Sequence, residues 1–264
     1  MNFLLLPCLL ALCCGTAVAE LSLPLRIDFS PLPNGPVSND SLRQHVSGLK
    51  WSNIYERGRV LQVHTEPTGK YLRMNYPAGG VGPQQSGGQF LVELPPSEEL
   101  WLTYELRFDK TFDFRKGGKL PGLTSGGSKY TAGTIPKKGL GWSARYMWKA
   151  HGKAIIYLYT VDMPGKWGES LPLRGVQFQP EQWHRLTQRI RLNSENAANG
   201  ILEVWFDETL VLQRDDIRFR LGDKGKIDSF YFSTFHGGNT PGWAPKSDSS
   251  ACFRNFTISQ FPNP

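Results

Sequence analysis

The feature that most constrains this chain is a two-residue rhythm, broken at short intervals by turns. From Trp101 the run WLTYELRF sets Leu102, Tyr104, Leu106 and Phe108 against Thr103, Glu105 and Arg107. Successive side chains of a strand point to opposite faces, so a period of two marks a half-buried strand. The rhythm returns in HRLTQRIRL from His184, ILEVWF from Ile201 and SFYFSTF from Ser229, and more weakly in FRNFTIS from Phe253. Turn clusters such as Asn193-Ser194-Glu195-Asn196 and Gly222-Asp223-Lys224-Gly225 lie between these runs. No helical period persists over three turns, no repeat of fixed length is present, and no linker divides the chain. The expectation is an all-β fold, an antiparallel β-sandwich of jelly-roll type, as one domain over residues 20–264. Residues 20–50 read as an irregular N-terminal arm.

The chain has 264 residues, a length that one β-sandwich can fill. Its 39% hydrophobic and 12% aromatic content excludes a disordered chain. Residues 1–19 carry no charged side chain, are apolar from Phe3 to Cys14 and end in Ala17-Val18-Ala19. They read as a secretory signal peptide, which implies a secreted protein, periplasmic if the source is bacterial. Beyond them no apolar run approaches the ~18 residues of a membrane helix, so no membrane span is expected. Cys8, Cys13 and Cys14 fall inside the signal, which leaves Cys252 alone. A single cysteine permits neither an intramolecular disulfide nor a cysteine zinc site. Asn39-Asp40-Ser41 and Asn255-Phe256-Thr257 fit the glycosylation triplet.

Lys and Arg number 30 against 23 Asp and Glu, a net charge of +7 that suits an acidic partner. Export and abundant aromatics favour an acidic polysaccharide over nucleic acid. Several familiar sites are excluded. The stretch from Gly117 to Gly141 holds eight glycines and four lysines, yet it does not match a phosphate-binding GxxxxGK[ST] loop. It reads as a Gly-rich loop, either approaching a ligand or lying solvated on the surface. His45, His64, His151, His184 and His236 show no metal-binding spacing, and no GxSxG elbow is present. Glu203, Asp207 and Glu208 lie in and beside a hairpin turn, a poor place for a glycosidase carboxylate pair.

The stretch from Trp142 to Asp162, WSARYMWKAHGKAIIYLYTVD, reads as two strands joined near His151-Gly152. Ser143, Arg145, Met147 and Lys149 share one face of the first strand. Ile155, Tyr157, Tyr159 and Val161 share one face of the second. A two-residue turn would put Arg145 and Tyr157 on opposite faces. A three-residue turn, with Gly152 in the left-handed region, would line up Ser143, Arg145, Tyr157 and Tyr159.

GGKLPGL at Gly117, WSARYMW at Trp142, YLYTVD at Tyr157 and FSTFHGGNTPGWAP at Phe232 together resemble polysaccharide lyase family 14. These are alginate and glucuronan lyases, and the family 20 glucuronan lyases show a related pattern. The likeness runs in order from about Trp101 to Ile258. It implies a β-jelly roll and β-elimination of uronic-acid polymers. It also implies catalytic roles for Lys119, Ser143, Arg145, Tyr157 and Tyr159, with Trp142, Trp148, Lys149, His236 and Trp243 as substrate-binding residues. His236 stands where the family often has an aromatic.

Elimination from a 4-O-linked uronate removes the proton at C5, beside a carboxylate. That proton is weakly acidic until the carboxylate charge is neutralised, a task for Lys119 or Arg145. A tyrosine, its pKa lowered by those cations, is the expected base and acid. No metal or organic cofactor is required, and a monomer is expected. The alternative is a lectin-like module that binds acidic polysaccharide without turnover.

Overall fold

The structure, a computed structural model, describes residues 22–54 and 61–262. The expected signal segment lies outside them. Eight strands form the first half: Leu25–Ile27 (β1), Gly35–Pro36 (β2), Leu49–Asn53 (β3), Gln62–Glu66 (β4), Gly69–Tyr76 (β5), Gly88–Ser97 (β6), Glu99–Phe108 (β7) and Gly117–Ser125 (β8). Eight more follow: Trp142–Lys149 (β9), Lys153–Tyr159 (β10), Glu169–Gln177 (β11), His184–Arg191 (β12), Gly200–Phe206 (β13), Thr209–Ile217 (β14), Ile227–His236 (β15) and Ser249–Ser259 (β16). They pair antiparallel into two sheets. One runs β14-β13-β12-β7-β16-β5-β4-β2, with β1 also against β16, and the other runs β11-β10-β9-β8-β15-β6-β3.

The alternation read from the sequence is the alternation of burial. Leu102, Tyr104, Leu106 and Phe108 of β7 are fully buried, as are Leu186 and Ile190 of β12. They meet Ala144, Tyr146 and Trp148 of β9 and Phe230 and Phe232 of β15 in one core. Tyr104 and Tyr146 touch edge to face across the two sheets at 5.9 Å. This shared core leaves the outer face of the β9–β8–β15 sheet free to carry polar groups. The hairpin WFDETLVL turns through Asp207 and Glu208, both with positive φ (47° and 69°). Asp207 accepts the backbone N–H of Arg185 and pairs with His184, so it is spent on the turn.

Two expectations are corrected. The segment expected as an irregular arm over residues 20–50 is, from residue 22 on, ordered into β1, β2, the start of β3 and a short helix, Asn39–His45 (α1). Ser38 caps that helix, its Oγ accepting the Ser41 N–H. Nor is the Gly-rich stretch a loop throughout. Its first nine residues are β8, an interior strand between β9 and β15.

Strand β8 departs from simple alternation. Leu120 and Leu123 both enter the core, although three residues apart they would face opposite ways in a regular strand. The pairing with β9 slips between Lys119 and Gly122, which restores both leucines to the interior. Gly122 has no room for a side chain, since a Cβ there would lie 2.2 Å from the Ala144 carbonyl oxygen. Gln188, fully buried on β12 of the opposite sheet, holds the slip in place. Its Oε1 accepts the Leu123 N–H at 3.2 Å and its Nε2 donates to the Ala144 carbonyl at 3.1 Å. Gln188→Leu would remove two buried hydrogen bonds to the β8 and β9 backbone, at a cost of about 1–3 kcal/mol. A fall in denaturant midpoint at unchanged m-value checks this, and an unchanged midpoint would refute it.

Candidate active site

The β9–β10 hairpin closes through three residues, Ala150-His151-Gly152, and both His151 and Gly152 have positive φ (61° and 75°). Tyr157 therefore pairs with Arg145 and Tyr159 with Ser143. Ser143, Arg145, Met147 and Lys149 share their face with Tyr157 and Tyr159. The slip in β8 sets Lys119 directly opposite Met147 on that same face.

These side chains border a groove of about 650 Å³ that also takes in Gln89, Tyr231 and Phe235. Its lining also draws on Ser128, Thr131, Ala132 and Trp167 and on the 82–83 and 237–243 segments. Among the described residues its lining includes Lys119, Arg145 and Lys149 and no Asp or Glu.

The floor is tightly connected. Lys119 Nζ lies 3.5 Å from the centroid of the Tyr157 ring and 2.9 Å from Met147 Sδ. The Tyr157 and Tyr159 rings meet edge to face at 5.4 Å. Tyr159 Oη accepts the Gly133 N–H at 3.2 Å. Arg145 is only 2% exposed. It donates from Nη1 to Ser233 Oγ at 3.2 Å and lies 5.5 Å from the Tyr231 ring centroid. Gln89 Nε2 donates to both Tyr231 Oη and Ser233 Oγ, which ties that corner together. Among the described residues Arg145 Nε has no hydrogen-bond partner. A buried guanidinium without a carboxylate partner is costly unless an anion arrives to pair with it.

Burial dominates the electrostatics. It pushes the Lys119 amine well below the ordinary lysine value, and Arg145 and Lys149 push it further. Burial pushes the Tyr157 phenol up, and Tyr159 adds to this, while Arg145 pulls less strongly the other way. Tyr231 is also raised by burial, against the pull of Arg145. The cation-lowered phenol expected of the Tyr pair is thus not what Tyr157 shows, because losing water outweighs the neighbouring charge.

The model of the family described as polysaccharide lyase 14 matches residues 64–256. The chain belongs to polysaccharide lyase family 14. It is therefore a polysaccharide lyase. No curated protein matches it by sequence. The solved alginate lyase Aly36B is 22% identical with a TM-score of 0.77, over 91% of this chain and 98% of that one. The alginate lyase of Aplysia kurodai is also 22% identical, with a TM-score of 0.73 over 86% and 98%. An endo-β-1,4-glucuronan lyase of Trichoderma reesei is more distant, 12% identical with a TM-score of 0.54 over 86% and 94%. At these identities the likeness is one of fold.

In this family 14 chain, Lys119, Arg145, Lys149, Tyr157, Tyr159 and Trp243 come together at the groove. Ser143 shares their face but is fully buried, and its Oγ donates to the Tyr130 carbonyl at 2.8 Å. It anchors the 126–141 segment rather than lining the groove. Three expected substrate-binding residues lie in the core instead. Trp142 is fully buried against Phe219, its Nε1 donating to the Gly225 carbonyl. Trp148 is buried among Tyr76, Phe108 and Phe112, its Nε1 donating to the Phe114 carbonyl. His236 stacks on Phe112 and donates from Nε2 to the Asp113 carbonyl at 2.8 Å, while burial lowers its pKa. All three occupy even-numbered positions that share a face with Ala144, Tyr146, Phe230 or Phe232. Gln89, Tyr231 and Trp167 were missed. Tyr231 and Ser233 alternate with Phe230 and Phe232, which is a usable signal. Gln89 alternates with Phe90 at the start of β6. Trp167, 59% exposed at the rim, follows no period.

Proposed function

We propose that this enzyme is secreted and cleaves 4-O-linked uronic-acid polymers, alginate or glucuronan, by β-elimination. One observation carries the reading: Lys119, Arg145, Tyr157 and Tyr159 converge on a groove whose lining, among the described residues, holds no carboxylate. Such a groove accepts a polyanion and lacks the paired carboxylates of a glycosidase. The alginate lyases of the same fold support the substrate class.

Arg145 keeps its charge even when buried, so it is the group to receive the uronate carboxylate and acidify C5–H. Lys119, whose cation is disfavoured by burial and by two neighbouring cations, takes the C5 proton. The C5–H electrons form the C4=C5 double bond as the C4–O bond breaks. Tyr157, held protonated, donates to the leaving glycosidic oxygen. One proton passing from the Lys119 ammonium to the Tyr157 phenolate resets the site. Tyr159, fixed by Gly133, orients Tyr157, while Trp167 and Trp243 in the groove lining offer aromatic faces for sugar rings. Lys149 adds positive charge for the polymer.

The test is ultraviolet absorbance on mixing with alginate or polyglucuronate. Growth of the band of a 4,5-unsaturated uronate is expected, and cleavage without it would overturn the reading. The pH profile follows from the shifts. The free amine of Lys119 accumulates as pH rises through a lowered pKa, so kcat/KM climbs with a midpoint below the ordinary lysine value of about 10.4. Tyr157 keeps its proton beyond that range, so it imposes no fall at mildly alkaline pH. A maximum near pH 5 would point instead to carboxylate or histidine chemistry.

A further inference from the structure

We infer that the groove continues past Trp243 into a second, cationic cavity that binds the carboxylate of a uronate unit away from the cut, with Lys116 as its main contact. The inference rests on the reading of the groove as a site for a uronate polymer. This cavity, of about 480 Å³, is lined by Asp113, Phe114, Arg115, Lys116 and His151 among others. It borders the groove: its Ala150 and Gly242 are the chain neighbours of Lys149 and Trp243 in the groove lining. Lys116 Nζ lies 6.0 Å from the Trp243 ring centroid, so the amine stands beside any sugar that rests on that ring. Lys116 precedes Lys119 by three residues, about 10 Å at the strand rise of ~3.3 Å per residue.

Charge favours this direction. Among the described residues Asp113 is the one carboxylate in the cavity lining, and it is already engaged. Its Oδ1 accepts the Arg115 N–H at 3.3 Å, and its Oδ2 accepts the Lys246 N–H at 2.9 Å and lies 4.0 Å from Arg115 Nε. Asp113 thus offsets Arg115, and the exposed Lys116 is left to meet an anion. A third cavity adjoins the groove at Ser128, but there Lys50 and Lys129 are matched by Glu93 and Asp228, and Lys50 pairs with Glu93. Two lysines against two carboxylates give a polyanion little net attraction. The cavity beside Trp243 is also held in shape from the core. His236 Nε2 donates to the Asp113 carbonyl at 2.8 Å, Trp148 Nε1 donates to the Phe114 carbonyl at 3.1 Å, and Arg115 Nη2 donates to the Gly242 carbonyl at 3.2 Å. His236 and Trp148 therefore serve the polymer indirectly, by fixing the backbone that carries Lys116, and a backbone fixed beforehand costs less to order on binding.

The experiment follows the unsaturated-uronate band to obtain kcat and KM for wild type, Lys116→Ala, Lys116→Glu and, as control, Lys129→Glu, on oligouronates of increasing length and on the polymer. Lys116 is exposed, so the variants fold, as a melting curve will confirm. A single exposed ion pair is a modest contact, so Lys116→Ala should raise KM on the polymer about two- to fivefold, and Lys116→Glu, which repels the carboxylate, about tenfold. The effect should fall on KM rather than kcat, because this contact is the same before and during the reaction. It should grow with oligouronate length as the chain reaches past Trp243, and shrink with added salt. Lys129→Glu should raise KM far less. A polymer KM unchanged in Lys116→Glu, a rise equal at every length, or an equal rise in Lys129→Glu overturns the cationic cavity and leaves the lyase reading standing. Absence of the band from wild type on both alginate and polyglucuronate overturns both.

Discussion

Lys119→Ala should cost about three orders of magnitude in kcat, near the middle of the range for losing a general base. The reason is geometric as well as electrostatic. Burial and the neighbouring cations Arg145 and Lys149 drive Nζ toward the free amine. Arg145 cannot replace it, because a guanidinium does not give up its proton in this range. Folding should survive the change. A buried amine without a counter-charge is a cost to the native state, and removing it offsets part of the cavity left behind. Steady-state kinetics on a uronate polymer, with a melting curve, checks the expectation. Small primary amines added to Lys119→Ala should restore part of the rate. A folded variant with near-normal turnover would remove Lys119 from the reaction.

Tyr157→Phe should lose about 10²–10³ in kcat while KM changes little, since the ring and its contact with Lys119 remain and only the hydroxyl goes. The loss belongs to protonation of the leaving oxygen. It should therefore shrink on a uronate carrying fluoride at C4, which departs without a proton. The Lys119→Ala loss should persist on that substrate, because the C5 proton must still be removed. Equal losses for Tyr157→Phe on both substrates would show that Tyr157 serves the C5–H step instead. Paired rate measurements on the two substrates separate these outcomes.

Much of this site could be read from alternation. The parity of the β9–β10 hairpin follows from a three-residue turn, and Tyr157 then has to stand beside Arg145. The same parity excludes Trp142 and Trp148 from the groove, since they alternate with Ser143 and Arg145 and join the Ala144–Tyr146 face. The family resemblance implies substrate binding for them, but their position along the strand places them in the core. His236 fails for the same reason on β15. What sequence could not supply is long-range. β8 looked like a loop because Gly117, Gly118, Pro121 and Gly122 disfavour a strand locally. It forms one because two neighbours pair with it and Gln188 reaches over from the other sheet. Other parts of the groove lining come from residues 82–83, 128–132, 167 and 237–243, far apart in the chain and without a period. Burial of Tyr157 and Lys119, which raises the phenol and lowers the amine, is likewise a property of the assembled groove.

Digestion of alginate and of polyglucuronate in ¹⁸O-labelled water, read by mass spectrometry, tests the central claim most directly. Elimination consumes no water, so each cut should yield a fragment ending in an unsaturated uronate, one water lighter than a hydrolytic product. The other fragment should acquire no ¹⁸O from the cleavage itself, apart from slow exchange at its reducing end that a no-enzyme control measures. Fragments of full hydrolytic mass, with ¹⁸O incorporated at every cut, would contradict it.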